Sequence, residues 1–136
     1  MLSLLQNYTF EKCRLSTRLD KICKEGFVEI DNCVLLRSLY ESNDSYDYKM
    51  FEDLTAFECF INGIHIEDFC SKQIVENAFK FSSRIFEEMN KKCFIILSFP
   101  SDKECSFSLH TKHLNEPDWL DYDTLDKYPE CICVIS

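Results

Sequence analysis

Hydrophobic and polar positions along the chain divide it into a short series of elements. In TFEKCRLSTRLDKICKEG, Thr9 to Gly26, apolar side chains recur at Leu15, Leu19, Ile22 and Cys23. That i, i+4, i+7, i+8 spacing is one face of a helix, and Gly26 supplies its stop. GFVEIDNCVLLRSLY is rich in aliphatic and aromatic residues without helical spacing, so it predicts a strand, broken or bulged near Asp31-Asn32. ESNDSYDYK reads as a polar loop. In TAFECFINGIHIEDF, Phe57, Cys59 and Ile61 alternate with Ala56, Glu58 and Phe60, which predicts a strand, with a turn at Asn62-Gly63.

SKQIVENAFKFSSRIFEEMNKK carries a helical stripe of Ile74, Val75, Ala78, Phe79, Ile85, Phe86 and Met89. Ser71 is placed to cap its start, and Lys91-Lys92 suit the negative end of its dipole. The unbroken run CFIILSF, Cys93 to Phe99, suits the centre of a sheet covered on both faces. ECSFSLH follows as its hairpin partner, with Cys105, Phe107 and Leu109 inward and Ser106, Ser108 and His110 outward. CICVIS predicts a last strand. The order helix, strand, strand, helix, strand, strand, loop, strand is α+β: a single domain over residues 1–136, mainly an antiparallel sheet with helices packed on one face.

Composition agrees. With 46% hydrophobic residues, twelve Phe and only two Gly, the chain is globular rather than disordered. A chain of 136 residues is long enough to bury roughly two-thirds of its unfolded surface. The nine cysteines are odd in number and mostly sit in apolar runs, so they read as reduced, buried thiols. No charged n-region precedes a long apolar stretch, and no run approaches the ~20 residues of a membrane helix, so the expected location is the cytoplasm, away from membranes.

Chemistry changes the picture less. Cys131-x-Cys133 and His110-x-x-His113 are the nearest approach to zinc spacing, without the paired ligand sets that a structural site needs. A Cys/His nucleophile could be built from Cys59 or Cys70 with His65, His110 or His113, but nothing in the sequence selects a pair. Two glycines cannot form a phosphate cradle. The reading therefore assigns no catalytic residue, no metal ligand and no cofactor.

Charge gives the stronger signal. Acidic residues outnumber basic ones 24 to 15, a formal charge of −9, which repels phosphate backbones and favours cationic partners. The surplus gathers in NEPDWLDYDTLDKYPE, where six carboxylates surround the single tryptophan and only Lys127 opposes them. Glu116, Asp118, Trp119, Asp121, Tyr122, Asp123 and Asp126 are the candidate partner-binding residues: carboxylates to steer, aromatics to anchor.

DLTAFECFINGIHIEDF leading into a long helix, then CFIILSF and SFSLHTKHLNEPDWLDYDTLDKYPECICVIS, resembles the immunity proteins of bacterial contact-dependent growth inhibition and related polymorphic toxin systems, over about residues 55 to 136. The resemblance implies a small cytosolic antitoxin that forms a 1:1 complex with a cognate basic toxin domain, a nuclease in the leading case, and blocks its active site or substrate access. It transfers no catalytic residue and no direct contact with nucleic acid. Two alternatives stand beside it: a small enzyme using a Cys/His pair or a metal, and a phage-type acidic inhibitor that mimics nucleic acid.

Overall fold

The computed structural model describes residues 13–136. Helix α1, Thr17–Glu25, starts where the Ser16 hydroxyl accepts the Leu19 N–H and stops at Gly26, whose φ of +73° is costly for any residue with a Cβ. It is shorter than expected. Residues 9–12 lie outside the described residues, and 13–15 precede the Ser16 cap, but the buried face is Leu19, Ile22 and Cys23 as the spacing requires.

The run expected as one interrupted strand is a hairpin. Strands β1, Phe27–Ile30, and β2, Cys33–Leu36, pair antiparallel with Ile30 opposite Cys33. Asp31 and Asn32 both take positive φ, 51° and 67°, the conformation that matches a two-residue turn to the twist of its strands. The break in the pattern is thus the turn itself. A short helix, α2, Arg37–Glu41, follows.

The clearest correction concerns the segment read as a strand at Phe57 to Ile61. It is helix α3, Leu54–Ile61. The Asp53 carboxylate accepts the Ala56 N–H as N-cap. Thr55, Ala56, Phe57, Glu58, Cys59 and Ile61 are all buried, so no polar stripe marks a helical period and chance alternation looks like a strand. The expected turn at Asn62-Gly63 ends this helix. A Cβ on Gly63 would lie 2.9 Å from the Cys59 carbonyl oxygen, so only glycine fits there without a shift.

Helix α4, Ile74–Glu88, is where the pattern placed it, but its cap and its stripe differ. Ser71 does not cap it; Gln73, in a left-handed conformation, precedes the first turn. Instead Asn77 fastens that end: its amide donates to the Lys72 and Gln73 carbonyls, and its Oδ1 accepts the Ser16 N–H at the start of α1. The C-terminus closes with Asn90 left-handed, its N–H on Glu87 O and the Lys91 N–H on Phe86 O, a Schellman pattern. Phe81, fully buried, lies between Ala78 and Ile85 at the centre of the stripe. Phe79 and Phe86 are half-buried and flank it, one position beyond those two residues.

Four strands form one antiparallel sheet in the order β3, β5, β4, β6: Ile64–His65, Glu104–His110, Phe94–Ser101 and Cys131–Ile135. As expected, β4 is an inner strand, β5 is its hairpin partner and β6 ends the sheet. Helix α4 packs on the face bearing Ile95, Leu97, Cys105, Phe107 and Leu109, and α1 packs against α4 in the same core. A second, smaller core joins Cys33 and Leu35 of the hairpin to Phe57 and Ile61 of α3. Among the described residues no helix is long and apolar enough to cross a membrane.

Candidate functional site

Residues 111–130 contain only one turn of regular structure, Leu125–Lys127, so side chains must decide where this acidic segment lies. Three do so. Glu116 turns back to the start of α3, its carboxylate accepting the Leu54 N–H at 3.2 Å, the Thr55 N–H at 2.8 Å and the Thr55 hydroxyl at 2.8 Å. An anion at a helix N-terminus satisfies free N–H groups and complements the dipole. Burial pushes this carboxyl upward, but those hydrogen bonds from Thr55 and Leu54 outweigh it and hold it below the usual range.

The second tether is Tyr122. Its ring stacks on Phe94 at 5.3 Å, and its hydroxyl meets His110 Nε2 at 2.7 Å. His110 Nδ1 lies 2.8 Å from the Thr111 carbonyl, which can only accept, so in the neutral ring Nδ1 carries the proton and Nε2 takes the Tyr122 hydrogen. Burial raises the Tyr122 hydroxyl well above its ordinary pKa, keeping it a donor. His110, expected to point outward, is buried, because the acidic segment covers this face of the sheet. The third tether is exposed: Lys112 Nζ to Asp118 Oδ1 at 3.1 Å, a pair of small energetic value.

Behind the segment lies a polar cluster inside the protein. Glu58, on α3, has no exposed surface, yet its Oε2 accepts the Val34 N–H at 2.7 Å, and its Oε1 accepts the Thr111 N–H at 2.9 Å and His113 Nε2 at 2.6 Å. The Thr111 hydroxyl lies 3.0 and 2.9 Å from the two oxygens. Asn62 adds a parallel set: Oδ1 accepts the Leu36 N–H, and the amide donates to the Val34 and Leu109 carbonyls. One carboxylate and one amide thus join the hairpin, α3 and the end of β5. Breaking such a buried set by removing one partner strands the others and costs about 3–5 kcal/mol.

The same place gathers ligand types. Cys33 Sγ, a Glu58 oxygen and a His113 nitrogen lie within 4.8 Å of one another. The Glu58 lone pairs, however, are engaged by two backbone N–H groups, the Thr111 hydroxyl and His113, so a cation would have to displace the His113 bond. Burial pushes the Cys33 thiol up to about 12, with Glu58, Glu116 and Asp31 adding to it. The arrangement joins structural elements by hydrogen bonds.

Of the cysteines considered for a nucleophile, Cys70 turns its thiol to the Ile66 carbonyl at 3.4 Å. Cys59 is buried, its thiol pushed up to about 12 by desolvation, and half-buried Cys70 is raised to about 11 for the same reason. The histidines bond elsewhere: His110 to Tyr122, His113 to Glu58, and exposed His65 to Glu67 at 3.8 Å. Cys131 and Cys133, expected on one face of the last strand, both pack against the main core.

The candidate binding residues divide in two. Asp121, Asp123 and Asp126 are exposed, Trp119 is 48% exposed beside them, and Asp118 is partly exposed in its pair with Lys112. Glu116 and Tyr122 face inward as tethers, which corrects their expected place on the outer surface. Sequence reading passed over Glu58, Asn62, Thr111 and the role of His113. The available signal was a single carboxylate within the apolar run TAFECFI, since a charge there needs buried partners.

A family model described as the Uncharacterized protein PM0498 family matches residues 1–136. A protein of Pasteurella multocida (strain Pm70), described as Uncharacterized protein PM0498, is 29% identical over 100 residues, covering 64% of this chain and 62% of that protein. The chain therefore spans less than two-thirds of the length of that relative. No solved structure matches it.

Proposed function

The chain belongs to the PM0498 family, and from that premise we propose that it is a non-catalytic binding protein of the immunity type, acting in the cytoplasm on a cognate basic toxin domain. The observation that carries this reading is Trp119: the single tryptophan stays 48% exposed among Asp118, Asp121, Asp123 and Asp126, on a segment fixed from behind by Glu116 and Tyr122. An exposed aromatic on a tethered segment gives a partner anchoring area, and the carboxylates around it attract cationic surfaces at long range. A nuclease suits the partner, because a protein that holds nucleic acid presents a positive surface. The inward, raised thiols support binding over thiol chemistry.

The test is association with the product of whichever reading frame adjoins the gene of this chain. Replacing Asp118, Asp121, Asp123 and Asp126 together by Asn should slow association roughly tenfold at low salt and flatten its salt dependence, with the fold intact by circular dichroism. Unchanged affinity, rate and salt slope would place the interface elsewhere.

A further inference from the structure

A second stretch repeats the combination of acid and aromatic. ESNDSYDYKMFED, Glu41 to Asp53, holds five carboxylates against Lys49 alone. Around it the fold leaves large apolar groups outside: Met50 is 64% exposed, Phe60 46% and Tyr46 39%. Two of them, Tyr46 and Phe60, are in ring contact. The Tyr46 and Phe60 rings lie 4.8 Å apart, and Phe51 sits 5.2 Å from Phe60 and 5.4 Å from buried Phe57. A run of rings therefore leads from the smaller core to solvent.

Exposed apolar groups so placed mark an interaction surface, and the charge beside them selects its occupant. Asp44, Asp47 and Glu52 are exposed on the same loop. An uncharged partner would strip water from those carboxylates with nothing to replace it, whereas a guanidinium can stack on the rings and pair with them. We infer that Tyr46, Met50 and Phe60 form a docking patch for an arginine-bearing surface of a basic protein, with Asp44, Asp47 and Glu52 as its counter-charges. The inference rests on the binding reading above and extends it to a second segment. The two acidic stretches adjoin, since Glu116 of one holds the Leu54 and Thr55 N–H groups directly after the other.

The experiment is a residue-resolved NMR titration of the full chain with nona-arginine and nona-lysine peptides. Signals of Tyr46, Met50 and Phe60 should move, arginine should bind at least about threefold tighter than lysine, and a Tyr46→Ser/Phe60→Ser double variant should weaken nona-arginine by roughly three- to tenfold. Met50→Ser, at the most exposed position, gives a milder variant should the double one unfold. Shifts confined to residues 118–126, or equal responses to both peptides, would overturn the patch while leaving the Trp119 segment as the interface. Concentration-dependent shifts at the three positions without peptide would assign the patch to a second copy and also overturn it. Patch shifts that persist with full affinity in the quadruple Asn variant would support the patch and count against the Trp119 segment.

Discussion

Glu116 shows how much one side chain's setting matters. By sequence it is one of six acids within residues 115–130; in the fold it is an anion at the N-terminus of α3, held by two N–H groups and a hydroxyl. Its carboxyl is lowered in the folded state, so the unfolded chain takes up the proton first as pH falls. The stability it contributes is therefore present in full above the ordinary Glu value of 4.5 and is lost as pH drops through the lower folded value. Urea midpoints of wild type and Glu116→Gln, measured across this range, should differ most at neutral pH and converge in acid. Curves that run parallel down to pH 3 would show that the charge at this helix end contributes nothing.

At the scale of elements, α4 illustrates how a correct periodicity can still misplace the centre of a face. The spacing yields the stripe Ile74, Val75, Ala78, Ile85, but it also takes in Phe79 and Phe86 and leaves out Phe81. Phe81 is fully buried and meets Phe107 edge-on at 4.9 Å, whereas Phe79 stacks at 5.6 Å on Phe99 at the margin of the core. Phe81→Ala should cost about 3–5 kcal/mol through lost burial and a cavity, and Phe86→Ala about half as much or less. Chemical denaturation of the two variants checks the order; a larger loss for Phe86→Ala would reverse the assignment of the face.

For the molecule as a whole, the cysteines are part of the packing. Cys13, Cys23, Cys33, Cys59, Cys93 and Cys105 are buried, and desolvation raises the Cys23, Cys59 and Cys93 thiols to about 12. A thiol reagent should therefore label native protein slowly at pH 8, beginning with half-buried Cys70, Cys131 and Cys133, and reach all nine sites only in denaturant. Rapid labelling of several thiols in native protein would mean that the cores open far more readily than this packing allows.

The sequence by itself determined the α+β class, the positions of α1 and α4, the β4–β5 hairpin, the closing strand and the acidic character of residues 115–130. Each of these is written locally: one face meets the core and the other meets water, so hydrophobicity repeats at the period of the element. Tertiary structure alone decided that Leu54–Ile61 is a helix, because burial on nearly every side erases the period. It also decided which carboxylates face outward. Glu58, Glu116 and Asp121 are the same chemistry in sequence, yet one closes a buried network, one caps a helix and one meets solvent. What separates them is the set of N–H and O–H donors within 3.2 Å, and those come from residues 24 to 62 positions away along the chain, which only folding brings together.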